Sequence, residues 1–309
     1  MFAMSLQMAH ASCGASFCTI NTNWNMQGAA VEPGWRLDLR GEYIDQDQPM
    51  TGNSEVAVGQ VRRHHDEVET RNRNVLATLD YAVNDRLGFS MTVPVIDRDH
   101  LHIHNHRGAK ILESWDFTRL GDIRLQTRYQ WSVQNPAQPG LSHYGLNLGV
   151  KLPTGQIHVD NSEGDRAERS LQPGTGTTDL LLGAFFNQLL NDMDSSWFVQ
   201  GLWQQPLNKR ENYEPGHRIT ADLGYRYELN TKVGLLAQIN ALYAERDSGS
   251  EAEPADTGGK YVFLSPGATF AITPEAQLYG FVQLPMYQYV NGVQLTADYA
   301  VAAGVSLRF

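Results

Sequence analysis

The chain has 309 residues, a net charge of −10, 41% apolar residues and 10% aromatic ones, with a mean hydropathy of −0.39. That length allows one large or two ordinary domains, and the composition excludes a disordered chain. The acidity argues against a nucleic-acid partner, and no run of about 18 apolar residues exists to make a transmembrane helix.

At the start, Ala9-His10-Ala11 has the form of a leader-peptidase site behind a short apolar run, so residues 1–11 read as the remnant of a signal peptide. Cys13 and Cys18 are the two cysteines. Their spacing is neither a redox nor a haem-attachment motif, and two ligands are too few for a metal, so the pair predicts a disulfide loop in an oxidising compartment. Residues 12–33 are polar with Asn, Gly and Pro and read as a periplasmic lead-in to a domain spanning 34–309, either hanging in the periplasm or threading into the lumen.

From there the chain alternates with period two, the period of a strand. Residues 35–46 place Trp35, Leu37, Leu39 and Tyr43 on one face, and Arg36, Asp38, Arg40 and Glu42 on the other. A polar stretch, 47–70, reads as a loop. Strands follow at 74–83 and 86–96 around the turn Asn84-Asp85, with Val75, Ala77, Leu79, Tyr81, Leu87, Phe89, Met91 and Val93 on the apolar face. Residues 97–118 read as a second loop. Strands at 122–132 and 144–152 precede a third loop, 153–177, and the rhythm continues at 178–189, 197–205, 218–227, 233–245, 260–270, 278–287 and 295–309. In the last of these Leu295, Ala297, Tyr299, Val301, Ala303, Val305, Leu307 and Phe309 share the apolar face.

Breaks between strands alternate short and long. Short periplasmic turns and long external loops are the habit of outer-membrane barrels, in which only every second residue meets lipid. The expected fold is all-β: a single antiparallel transmembrane β-barrel of about twelve strands in the bacterial outer membrane. Pro94, Pro153, Pro206 and Pro285 fall near outer strand ends and predict bulges or a widened mouth, since proline cannot donate to a ladder.

Several segments resemble a family of outer-membrane proteins named for the meta-pathway of phenol degradation. They are Tyr81-Ala-Val-Asn-Asp-Arg-Leu-Gly-Phe89 with Val93-Pro94, Leu120-Gly-Asp-Ile123, Lys151-Leu-Pro-Thr-Gly155, Gln172-Pro-Gly-Thr-Gly-Thr-Thr-Asp179 and the final strand ending in Phe309. The resemblance implies a transporter or channel for small, hydrophobic or aromatic solutes. Its partners would be outer-membrane lipid, a small-molecule solute and, through Phe309, the barrel-assembly machinery.

The charged face predicts a lumen lined by Arg36, Asp38, Arg40, Glu42, Asp122, Arg124, Arg128, Asp222, Arg226, Asp298 and Arg308. Such groups either ring a wet channel or pair across a narrow barrel and plug it. One stretch stands apart from the family pattern. His100, His102, His104 and His106 share the parity of Ser90 and Thr92, hence the lumen side, and spacing of this kind suits Zn, Cu or Ni. Asp66, Asp97 and Asp99 are candidate supporting carboxylates. The alternative function is therefore a closed barrel whose histidine-bearing loops bind a divalent metal or a partner protein. No cofactor is otherwise implied. His158 with Ser162 is a pair only by proximity, Gly174-Thr-Gly176 lacks the Lys of a phosphate loop, and no enzyme is expected.

Overall fold

The computed structural model describes residues 19–24, 27, 32–106, 108–134, 141–190 and 194–309. The leader-like segment and both cysteines lie outside the described residues. The strands are β1 (Gly34–Gly52), β2 (Ser54–Glu55), β3 (His65–Ala82), β4 (Leu87–His106), β5 (Ala109–Leu120), β6 (Arg124–Gln134) and β7 (Leu141–Lys151). They continue as β8 (Asp179–Leu189), β9 (Ser195–Pro206), β10 (Arg218–Glu228), β11 (Val233–Ala244), β12 (Gly259–Ala271) and β13 (Ala276–Arg308).

Eleven of these close an antiparallel barrel, running from β1 through β3 and β4, then β6 to β13, and back to β1. β13 is 33 residues long and crosses twice. Its first half pairs with β12, from Ala271↔Gln277 to Gly259↔Val290. Its second half pairs with β1, from Gly52↔Val290 to Arg36↔Arg308. It reverses at Asn291-Gly292, where Gly292 takes a φ of 62° open to glycine. The wall thus has twelve passes, while β2 and β5 stand outside it.

The two faces follow the alternation. Leu39, Met91, Leu125, Leu146, Leu223 and Ile239 are exposed on the outside of the wall, where only lipid can cover them. Aromatic rings gather at its lower end: Trp35 on Tyr81 at 4.5 Å, Tyr129 on Trp131 at 4.9 Å, and Tyr144, Phe186 and Trp197 in succession. The lower turns use side chains as backbone substitutes. Asn84 Oδ1 accepts from the amides of Arg86 and Leu87, Asn230 Oδ1 from Lys232 and Val233, and Thr273 Oγ1 from Glu275 and Ala276.

Inside, three phenylalanines lie flat against the wall because glycine stands directly opposite each in register: Phe185 on Gly145, Phe198 on Gly224 and Phe281 on Gly267. A Cβ on any of these glycines would overlap the ring.

Three expectations are corrected. Residues 97–118 are not a loop: β4 runs on to His106, turns at Gly108 (φ 88°) and returns as β5, which pairs only with β4. β4 changes partner near Pro94, pairing with β6 only from Leu87 to Thr92 and with β5 from Val95 upward. With β1 extending to Gly52 and β3 beginning at His65, this makes a flap that rises above the wall. Leu295 and Asp298 also depart from their expected faces. Between Ile44↔Ala300 and Gln46↔Ala297, β13 carries one extra residue, a bulge that flips the faces beyond it. Leu295 therefore turns inward to 2% exposure, and Asp298, expected in the lumen, sits exposed in the bulge. Of the two placements open to the lead-in, Thr19–Trp24 and Gln27 take the one inside the barrel.

Replacing Gly224 with valine should cost about 1–3 kcal/mol, since the Phe198 ring has no space to retreat into. Urea unfolding of the barrel in lipid vesicles would measure this, with an unchanged midpoint contradicting the close approach.

Candidate functional site

Described segments of the chain enter the barrel from both ends. From below, Ile20 and Trp24 bury themselves against Leu236, Tyr279, Phe281 and Ala302. The Trp24 ring meets Tyr279 edge-on at 5.0 Å. Its Nε1 donates to Asp38 at 3.3 Å, and the Tyr279 hydroxyl donates to the other Asp38 oxygen at 2.7 Å. A strand-less segment carries backbone groups that need partners. The lumen supplies them: Gln238 accepts from the Asn21 amide at 3.0 Å and donates to its carbonyl at 2.9 Å, as a neighbouring strand would. Arg40 donates to the Ile20 carbonyl (3.1 Å) and the Thr22 hydroxyl (3.0 Å), and Ser196 donates to the Gln27 carbonyl.

From above, the segment 152–178 between β7 and β8 folds over the mouth. Its Val159, Ala167 and Leu171 form one apolar cluster with Trp115 and Phe117 of β5 and Leu295 of β13. Trp115 Nε1 donates to the Asp165 carbonyl at 2.9 Å, and Arg98 donates to that of Leu171 at 2.6 Å. The root of the segment is a buried ion network. Lys151 Nζ lies 2.9 Å from Asp122 and 3.2 Å from Asp179, and also donates to Thr175 Oγ1. Asp122 accepts in addition from the amides of Gly155 (2.9 Å) and Thr175 (3.0 Å). Gly155 and Gly174 pass so closely that neither position has room for a Cβ. Three separated sequence motifs, Leu120-Gly-Asp-Ile123, Lys151-Leu-Pro-Thr-Gly155 and Gln172-Pro-Gly-Thr-Gly-Thr-Thr-Asp179, thus converge on one knot.

A family model described as "Putative MetA-pathway of phenol degradation" matches residues 73–309. The chain belongs to this family. Among solved structures it is similar to an outer membrane channel from Pseudomonas putida F1, at 13% identity and a TM-score of 0.69 over 92% of this chain and 98% of that one. It overlaps less closely with the NanC porin (10% identity, TM-score 0.48, 88% and 100% covered) and with the toluene transporter TbuX of Ralstonia pickettii (10% identity, TM-score 0.45, 98% and 97% covered). These two fits are too loose to bear on the chain. No curated relative matches the sequence. Family and fold together make this a barrel of the bacterial outer membrane.

Between the two seals lies a cavity of about 470 Å³. Of the residues expected in the lumen, Asp38, Arg40, Glu42, Asp122, Arg124 and Asp222 line this cavity. Leu76, Pro94, Ile96, Leu202, Leu242 and Tyr261 add apolar surface to it. The others lie elsewhere. Arg128 bonds to Gln130 and borders a smaller gap beside Asn23, and Arg226 pairs with Glu228. Arg308 pairs with Glu32 at 3.0 Å and stands in register with Arg36. Lys151 and Asp179, which share the lumen parity, tie the knot of the upper seal, and both fall within the family motifs.

The histidines form a separate cluster on the flap. His100 and His102 are each 1% exposed, and His65 of β3 stacks on His102 at 4.4 Å. His104 lies opposite His65 in register, with ring centres 4.8 Å apart, and His106 is exposed. The carboxylates that support them are Glu67, Glu113 and Glu168 in place of the expected aspartates. Asp97 bonds Arg73 at 2.7 Å and Asp99 faces Arg71 at 3.9 Å, both on the opposite face, and Asp66 is buried beside Gly59. Glu113 stands across the ladder from His102, which only the fold-back of β5 reveals. Burial pushes the His65 and His102 imidazoles down to about 4 and Glu168 well up, so both rings are neutral at pH 7. His158 bonds Glu211 at 2.7 Å, away from the cluster.

Two outcomes test the seals. Lys151→Met should cost about 3–5 kcal/mol in unfolding experiments, because Asp122 and Asp179 lose their buried counter-charge; a loss under 1 kcal/mol would contradict the network. A chain beginning at residue 32 should show larger single-channel steps in planar bilayers than the full chain, since Trp24 no longer fills the lower lumen.

Proposed function

We propose that this protein is a passive outer-membrane channel for small hydrophobic solutes of the aromatic class. The observation that carries the reading is Tyr261. It lines the central cavity and also a small pocket in the wall, formed with Ile44, Phe263, Pro285, Leu295 and Tyr299. The ladder is interrupted on both sides of that pocket. Opposite Val262 and Phe263, β13 carries one extra residue beside Pro285, and opposite Ile44 and Gln46 it carries another. Backbone hydrogen bonds are what make a barrel wall impermeable, so paired bulges at one level are where such a wall yields.

The charge arrangement supports the same reading. An ion-selective pore needs free charged rings. Here Lys151, Asp122 and Asp179 are consumed by the upper seal, and Asp38 and Arg40 by the lower one. What remains is a chamber of ligand size in which Arg124, Arg218 and Asp222 stand beside apolar patches, with a neighbouring apolar pocket in the wall. The family's description points to phenol degradation, which fits an aromatic solute.

Cells carrying the barrel should take up dilute radiolabelled toluene faster than cells lacking it, and Tyr261→Trp, which fills the junction of cavity and pocket, should slow that uptake. Rates equal to those of cells without the barrel would contradict the reading.

A further inference from the structure

The histidine cluster is not absorbed by a channel function. Antiparallel pairing fixes it: His65 on β3 faces His104 on β4, and Glu113 on β5 sits diagonally across from His104. His64 precedes His65, and the rings of His64, His65 and His104 lie within 4.4–4.8 Å of one another, centre to centre. An ionised carboxylate only accepts hydrogen bonds, so it fixes the tautomer of the ring beside it. The Glu113 carboxylate accepts from His104 Nδ1 at 3.0 Å. That leaves Nε2 as the other nitrogen of His104, and it is buried with no hydrogen-bond partner. His65 Nδ1 lies 3.2 Å from Glu168, and His65 Nε2 lies 3.1 Å from His64 Nδ1. Donor atoms of His65, His104 and Glu113 lie within 4.8 Å of one another, as do those of His64, His104 and His106.

We propose that the flap binds one divalent transition-metal ion, of the zinc, copper and nickel type, on His64, His104 and His106, with Glu113 orienting the His104 ring. Three imidazoles, one of them backed by a carboxylate on its other nitrogen, are a donor set that zinc takes readily, with its fourth position left to water. The strands hold the donors, so the site is built before the ion arrives. The proposal does not depend on what the lumen carries.

Equilibrium dialysis of the tag-free barrel in detergent against zinc chloride tests it. One ion per chain should bind saturably. His64→Ala and His104→Ala should each weaken binding at least about tenfold and Glu113→Gln about tenfold, while His143→Ala and His217→Ala leave it unchanged. Absence of saturable binding, or equal weakening in all five variants, overturns the proposal. If the flap variants do not fold, X-ray absorption of the wild-type zinc form decides: a shell with two or more imidazoles supports the site, and a shell of oxygen donors alone overturns it.

Discussion

A sheet in a bilayer has no water to satisfy its edges, so each strand must hand its hydrogen bonds to another strand. Here that obligation ends on β1 and β13, which pair from Arg36↔Arg308 to Gly52↔Val290. Closure fixes everything else. It turns one set of alternate side chains to lipid and forces the other into a confined interior. That interior receives Asp38, Glu42, Asn74, Asp222, Gln238 and Asn240, all of them buried. A buried polar group left without a partner costs about 1–3 kcal/mol, so the inner face needs something to bond to.

The chain supplies that partner from itself. Below, Gln238, Arg40, Asp38 and Ser196 bond a segment with no regular structure of its own. Above, Asp122, Lys151 and Asp179 gather the two ends of a long loop. The same side chains would make an ion-conducting channel if they faced water. Spent on the seals, they leave a chamber whose remaining apolar surface adjoins a pocket in the wall. The difference between a pore and a gated chamber thus rests on where the interior hydrogen bonds go, not on the composition of the lumen.

Much of this was legible in the sequence. Period-two alternation and the segregation of short turns from long loops gave the barrel and its number of passes, because lipid punishes any breach of the pattern. The family motifs were legible as words but not in meaning: Asp122, Gly155 and Thr175 lie far apart in the chain and meet only when the loop folds inward. β5 was read as loop because its residues obey no lipid constraint. The inward turn of Leu295 and the exposure of Asp298 follow from a bulge with no glycine or proline to announce it. Thr19–Trp24 read as a lead-in because a segment held by side chains as distant as Gln238 has no periodicity to show. The shared parity of the four histidines was visible, whereas Glu113 and Glu168 needed the fold-back and the folded loop.

The central claim is that the lower lumen is filled by the segment around Asn21 and Trp24, docked through specific hydrogen bonds. Hydrogen–deuterium exchange of the barrel in lipid vesicles tests it most directly. The account predicts that the amides of Asn21 and Asn23 exchange as slowly as those of the neighbouring barrel strands. Exchange at the rate of an unstructured peptide would mean that the segment does not reside in the lumen, and the filled lower lumen would have to be abandoned.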